Sequence, residues 1–247
     1  MTDSHIHVGQ YESIYTSPSD LLKFLDYVQV NYFAASSTTI CTGNCQQALN
    51  EMLELNSISS GRLKPILWIR PGMLHNRIIE DYIDSDISWS CLKIHCGLDV
   101  EEWNNNRNEV LNSITSLASV LSVPLLIHTG ESLGCYPSLF QDVIEKRPNV
   151  RFILAHGRPI DDSIVLLKKT PNTLVDTAFM PIEHIVKLCS EGLEDRVLWG
   201  TDYPIPRHYY PNADMGQYYM SLVEELRQSV SSIQFKKITE MNFSKVF

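Results

Sequence analysis

Nowhere in this chain do apolar residues run for the roughly 18 positions that a membrane helix needs, so no membrane partner is expected. Positive charge is also scarce: 20 Lys and Arg stand against 29 Asp and Glu, for a net charge of −9. A surface of that sign argues against nucleic acid, because phosphate binding depends on basic groups that release counterions. No Cys-x-x-Cys pair occurs among the six cysteines, at positions 41, 45, 91, 96, 135 and 189. Their spacing suggests no disulfide framework, and the expectation is reduced thiols in a cytoplasmic protein. Cys41 and Cys45 alone lack the further pair or nearby histidine that a metal site needs. The opening residues lack a basic stretch followed by an apolar one, so no leader peptide is expected. Pro- or Gly-rich linkers, repeats and low-complexity tracts are missing as well, which points to a single domain over residues 1–247.

What the chain does have is a hydrophobic fraction of 44%, enough for a sizeable core, and a regular alternation of short apolar runs with longer amphipathic ones. The short runs predict eight strands: Thr2 to His7, Tyr32 to Ser36, Pro65 to Arg70, Cys91 to His95, Pro124 to His128, Arg151 to His156, Thr173 to Thr177 and Arg196 to Asp202. Helical stretches lie between them. In Ser19 to Val30, for example, Leu21, Leu22, Phe24, Leu25 and Val28 form an apolar stripe behind the cap signal Ser17-Pro18-Ser19-Asp20. Eight βα units at 247 residues are the pattern of an α/β fold, and specifically of a (β/α)8 TIM barrel. Tyr203 to Asn212 holds three prolines and reads as a stiff loop after the last strand. Ser231 to Phe247 reads as a short helix and tail.

The chemistry sits at the strand ends. His5 and His7 share one face of the first strand, with Ile6 facing the other way. Residues two apart on a strand are about 6.6 Å apart along it. Two imidazoles at that spacing can converge on an ion with bonds of about 2.0–2.1 Å. His128, His156 and Asp202 end later strands, at the barrel face that carries chemistry in such folds. One strand-end histidine is more often a hydrogen-bonded structural residue than a ligand. The joint occurrence of His-x-His with a later His, His and Asp is hard to reach by accident.

The stretches Asp3-Ser4-His5-Ile6-His7, Leu126-Ile127-His128-Thr129-Gly130, Leu154-Ala155-His156-Gly157 and Gly200-Thr201-Asp202-Tyr203-Pro204 resemble the amidohydrolase superfamily. The likeness is nearest to its amidohydrolase-2 branch, which contains hydrolases and non-oxidative decarboxylases. The resemblance implies that His5, His7, His128 and Asp202 hold a divalent ion, with Zn2+ the first expectation. It makes His156 a catalytic partner or a ligand of a second ion. The reaction implied is hydrolysis of a small-molecule amide, lactone or ester by metal-activated water, with Asp202 and His156 as catalytic residues. The alternative is decarboxylation of a small carboxylic acid. A rival of another class is a non-catalytic metal-binding or ligand-sensing barrel. Phosphoesterases of a related barrel family usually carry Asp-x-His at the last strand, whereas Asp202 here precedes Tyr203-Pro204.

Other residues have open roles. Lys93 reads as an interior ion-pair partner or, once carboxylated, as a bridge between two ions. His95, at the strand tip beyond it, is a substrate contact or a packing residue. Arg70 ends the third strand and would suit a substrate carboxylate, or else form a salt bridge. Tyr203 and Arg207, in the proline-rich stretch, are candidate walls of the substrate pocket. Asp3 would orient an imidazole or cap the chain start, and Glu131 is an outer acid or a capping neighbour. His75 and His184 lie in helical stretches and are expected to face solvent. Whether the protein forms homo-oligomers is not legible.

Overall fold

The computed structural model describes residues 1–75, 77–132 and 134–247. Its elements, in chain order, are β1 (Thr2–Tyr11), β2 (Ile14–Thr16), α1 (Pro18–Tyr27), β3 (Tyr32–Ser37), α2 (Cys45–Ile58), β4 (Leu63–Trp68), α3 (Ile78–Ile83), β5 (Cys91–Ile94) and α4 (Val100–Leu121). Then come β6 (Leu125–His128), α5 (Gln141–Glu145), β7 (Phe152–Ala155), α6 (Ile160–Lys169), β8 (Thr173–Asp176), α7 (Ile182–Ser190), β9 (Val197–Leu198) and α8 (Pro206–Tyr209). The chain closes with α9 (Met215–Ser229), α10 (Ser232–Lys236) and α11 (Asn242–Val246). Two compact units are present: Met1–Pro65 with Thr177–Phe247, and Ile66–Asp176. None of the described helices is long and apolar enough to cross a membrane.

In the first unit the strand order is β2-β1-β3-β4, with β1, β3 and β4 parallel and β2 antiparallel to β1. The expected first strand is present but runs four residues past His7, to Tyr11. It turns through Glu12 and Ser13 into β2, a hairpin the sequence reading did not contain. The extension passes over a polar cluster. Glu51 of α2 is buried and accepts from the Ser37 hydroxyl at 2.5 Å, the Thr39 hydroxyl at 2.9 Å and the Gln47 amide at 3.1 Å. Gly9 lies against this cluster with φ +88, a left-handed backbone open mainly to glycine. A Cβ there would collide with Glu51 Oε2 and Thr39 Oγ1.

α1 begins where the cap signal placed it: the Ser17 hydroxyl accepts from the Asp20 amide at 3.1 Å, with Pro18 in the first turn. Leu21 and Leu25 are its fully buried anchors. The last expected strand is shorter than Arg196 to Asp202. Only Val197–Leu198 is regular, because the next residues bond to β1 outside a ladder. Ser4 N–H donates to Trp199 O at 2.8 Å, Asp202 N–H to His5 O at 2.7 Å and His7 N–H to Tyr203 O at 2.6 Å. The proline-rich stretch also departs from expectation. It contains α8, since Pro206 occupies the first helical turn, where no backbone donor is needed.

In the second unit β4, β5, β6, β7 and β8 follow one another in parallel. Leu92, Leu125, Leu126, Ile127, Phe152, Ile153 and Leu154 are fully buried, as expected of parallel strands covered on both faces. Cys96 and Cys135 join in a disulfide here, correcting the expectation of reduced thiols throughout. Cys41, Cys45, Cys91 and Cys189 take no part in that disulfide. Burial pushes the Cys91 thiol up to about 12 and the Cys189 thiol up to about 11, so both stay protonated and unreactive.

Candidate metal centre

His5, His7 and Asp202 of the first unit come together. One ligand atom from each lies within 4.8 Å of the others. His5 Nε2 is 3.3 Å and His7 Nε2 2.9 Å from Asp202 Oδ1. The rings of His5 and His7 meet edge-on with centroids 5.1 Å apart. All three side chains are buried. Burial of two imidazoles and a carboxylate in contact costs free energy unless they share a charge partner.

The local backbone explains the convergence. Strand alternation gives His5 and His7 one face, and the bonds from Ser4 and His7 to Trp199 and Tyr203 draw the 199–203 segment alongside β1. Gly200 permits this approach: a Cβ there would stand 3.0 Å from His5 Cβ and 3.1 Å from Ser4 Oγ. Asp202 has φ +59, in the left-handed region where Asp is enriched among non-glycine residues but still strained. Asp3, fully buried, braces the same segment. Its Oδ1 accepts from the amides of His5 at 3.1 Å and Thr201 at 3.2 Å, and its Oδ2 from the Thr201 hydroxyl at 2.6 Å.

His7 has a partner that sequence reasoning missed. Its Nδ1 lies 3.3 Å from Ser36 O and 3.0 Å from Ser36 Oγ. A carbonyl can only accept, so Nδ1 is assigned the proton towards Ser36, and Nε2, on the Asp202 side, is the nitrogen that would bind an ion. The signal was available: Ser36 is a polar residue in an apolar strand and pairs directly with His7.

These donors fit a divalent cation. Bonds of about 2.0–2.1 Å in tetrahedral geometry put ligand atoms roughly 3.3–3.4 Å apart, close to the spacings found. Imidazole nitrogen and carboxylate oxygen suit zinc and other divalent first-row metals.

The second unit holds another histidine group. His128 ends β6, and its Nδ1 is 3.1 Å from His156 Nε2. His156 follows β7 with φ +68, a second left-handed candidate residue. Its amide donates to Asp176 Oδ1 at 3.0 Å. Asp176, fully buried, was also missed, although it ends the run Thr-Leu-Val-Asp as the other candidates end theirs. His95 lies just past β5, stacked on His128 at 3.6 Å between centroids, and its Nδ1 accepts from the Gly97 amide at 3.1 Å. Lys93 is buried with Nζ 4.1 Å over the Trp68 ring, a cation–π contact.

Several expected pocket residues have other neighbours. Arg70 forks onto Asp99, with Nε to Oδ2 at 2.8 Å and Nη2 to Oδ1, so the salt-bridge alternative is the one found. Tyr203 is buried and stacks flat on Phe24 of α1 at 3.7 Å, and burial raises its pKa. The positive charge of Arg207, an exposed residue, works against that rise. Glu131 is exposed, 4.0 Å from Arg158. His184 is half-buried, not solvent-facing, and the side chain of His75 lies outside the described residues.

The chain belongs to the amidohydrolase family, whose model matches residues 92–222, more than half of its length. That family is one of metal-dependent enzymes. No curated protein matches the chain in sequence. Solved structures similar to it include an amidohydrolase from Burkholderia multivorans with bound zinc, at 11% identity and TM-score 0.70, covering 99% of this chain and 98% of that one. Another is a probable 2-pyrone-4,6-dicarboxylic acid hydrolase from Acinetobacter baumannii with citric acid bound, at 14% identity and TM-score 0.67, covering 99% and 98%. A third is the 5-carboxyvanillate decarboxylase of Sphingomonas paucimobilis, at 11% identity and TM-score 0.64, covering 100% and 98%. At such identities the likeness shows the fold, which is the α/β TIM-barrel fold that the strand count led us to expect.

Proposed function

We propose that this protein is a metal-dependent hydrolase of small amides, lactones or esters. The observation that carries the reading is the buried trio of His5 Nε2, His7 Nε2 and Asp202 Oδ1, gathered at spacings suited to one cation. Zn2+ is the proposed ion, and His128 the proposed fourth ligand on the strength of its strand-end motif. When bound, such an ion supplies a Lewis acid that lowers the pKa of water from about 15.7 towards about 7.

Asp202 then acts as the base. Oδ1 faces both imidazoles, which leaves Oδ2 to accept a proton from the attacking water and return it to the leaving group. His156 is the proposed partner of the substrate carbonyl. With His128 Nδ1–H donating to His156 Nε2, the His156 proton sits on Nδ1, and that N–H is the proposed donor to a developing oxyanion. His95, stacked on His128, is proposed as a neighbour of substrate. A second ion, bridged by modified Lys93, is not needed for these roles.

Ser36 should tune the ion's affinity through His7. Replacing Ser36 with Ala removes the hydroxyl but keeps the carbonyl as acceptor, so metal binding is expected to weaken towards the low end of the about 10- to 100-fold range for such partners, as read by titration of the stripped protein with Zn2+. Unchanged affinity would remove Ser36 from the centre.

Decarboxylation is the second reading, favoured by the likeness to a carboxyvanillate decarboxylase. One experiment separates the two: incubation of metal-loaded and chelated protein with panels of lactones, amides, esters and carboxylic acids, with product and CO2 analysis. Hydrolysis consumes water and releases no CO2. Metal-loaded protein inert towards every panel would contradict both readings and favour a non-catalytic barrel.

A further inference from the structure

The disulfide of the second unit joins the two chain segments that carry His95 and His128. The ladder between β5 and β6 ends at Ile94 and Ile127, so both histidines stand past the last paired residues. Cys96 directly follows His95, and its partner Cys135 comes after β6, with the two Cα atoms 5.6 Å apart. Cys96 Sγ is 3.1 Å from His128 O. On the other side of the bond the Gly130 amide donates to Cys135 O at 3.1 Å, and the Cys135 amide to Ser132 O at 3.0 Å. Gly97 packs into the same corner: a Cβ there would stand 3.0 Å from His95 Cε1 and 4.0 Å from Cys135 Sγ. Both cysteines are fully buried, so the bond is a fixed part of the interior.

The two rings lie unusually close. His95 and His128 stack face to face, 3.6 Å between centroids and 17° between planes. Aromatic pairs prefer offset or edge-on arrangements with centroids about 4.5–7 Å apart. This pair is therefore held nearer than its own attraction would bring it, and the covalent bond beside it supplies the restraint. His156 meets His128 from another direction, Nε2 to Nδ1 at 3.1 Å. With Nδ1 turned to His156, Nε2 is the nitrogen that the proposed role of His128 as fourth ligand uses.

We propose that the Cys96–Cys135 disulfide is a positioning clamp, which presses His95 onto His128 and so fixes the angle at which His128 presents Nε2. Neither cysteine touches substrate or ion; both act through the rings. The proposal rests on the metal-dependent reading of the centre, and the test keeps the two apart.

Cys96→Ala/Cys135→Ala removes the clamp and leaves every histidine in place. Loss of a cross-link lowers the stability of the metal-free chain whatever its role, so wild type and variant are compared well below the variant's melting temperature. Three readings decide. Wild type purified without reductant and then unfolded should show four reactive thiols, the cysteines outside the bond; six would overturn the clamp. In the metal-free protein the ring protons of His95 and His128, assigned by single His→Gln variants, should be shifted upfield by the neighbouring ring, and the double variant should lose that shift. Zn2+ affinity should fall about 10- to 100-fold, the range for groups that orient a ligand, and the visible absorption of the Co2+ form should change with it. If the double variant does not fold, Cys96→Ser/Cys135→Ser, which fills more of the space of the two sulfurs, decides by the same readings. An unchanged ring shift, or unchanged Zn2+ affinity in a wild type that binds Zn2+, would overturn the clamp and leave the metal reading intact. A wild type that binds no Zn2+, beside a variant that loses the ring shift, would sink the metal reading and keep the clamp's hold on the rings.

Discussion

Asp202→Asn is expected to fold normally and lose turnover by about 10²- to 10⁴-fold, the usual contribution of a positioned general base. The substitution isolates the chemistry because Asn tolerates the left-handed backbone as well as Asp does, and residue 202 has φ +59. Its amide still donates to His5 O, so the bond that draws the segment to β1 is untouched. What changes is the side chain: a carboxamide cannot accept and return a proton at neutral pH. Loss of the negative charge will also weaken the cation's hold, and excess metal separates the two effects. If Asp202 is the base, saturating metal restores occupancy without restoring kcat. Near-normal turnover in this variant would remove Asp202 from the proton transfer.

The second large effect concerns the imidazoles. His7→Ala takes away one of the three buried donors and should weaken metal affinity beyond the roughly 10- to 100-fold expected from losing an outer partner such as Ser36. Activity should fall with occupancy. Apparent stability should fall too, because an ion that binds only the folded chain stabilises it by mass action. Thermal unfolding with and without Zn2+ measures this. The wild-type melting temperature should rise with added metal, and that of His7→Ala should respond only at much higher concentration. Equal responses would place the ion elsewhere.

The grouping of His5, His7 and Asp202 was legible because strands punctuate the sequence clearly. His5, His7, His128, His156 and Asp202 each stand at or next to the end of an apolar run, and alternation alone gives His5 and His7 a common face. Asp176 obeys the same rule and could have been found by it. The hairpin β1–β2 was not legible, because its two-residue turn is Glu12-Ser13 and lacks the Asn-Gly type of signal that marks such turns. Partners set by tertiary approach were equally hidden. Nothing local links Cys96 to Cys135 across 39 residues, or Arg70 to Asp99. The proline-rich stretch misled in a different way. Pro206 forbids a helix interior but suits a helix start, and α8 begins there.

The most direct test of the centre is elemental analysis of the purified protein beside the His5→Ala/His7→Ala double variant, each dialysed against the same trace of divalent metals. The account predicts at least one tightly held divalent ion per wild-type chain, with Zn2+ foremost, and none in the double variant. A wild type that turns over substrate while free of metal, or a double variant that keeps its ion with undiminished affinity, would contradict it.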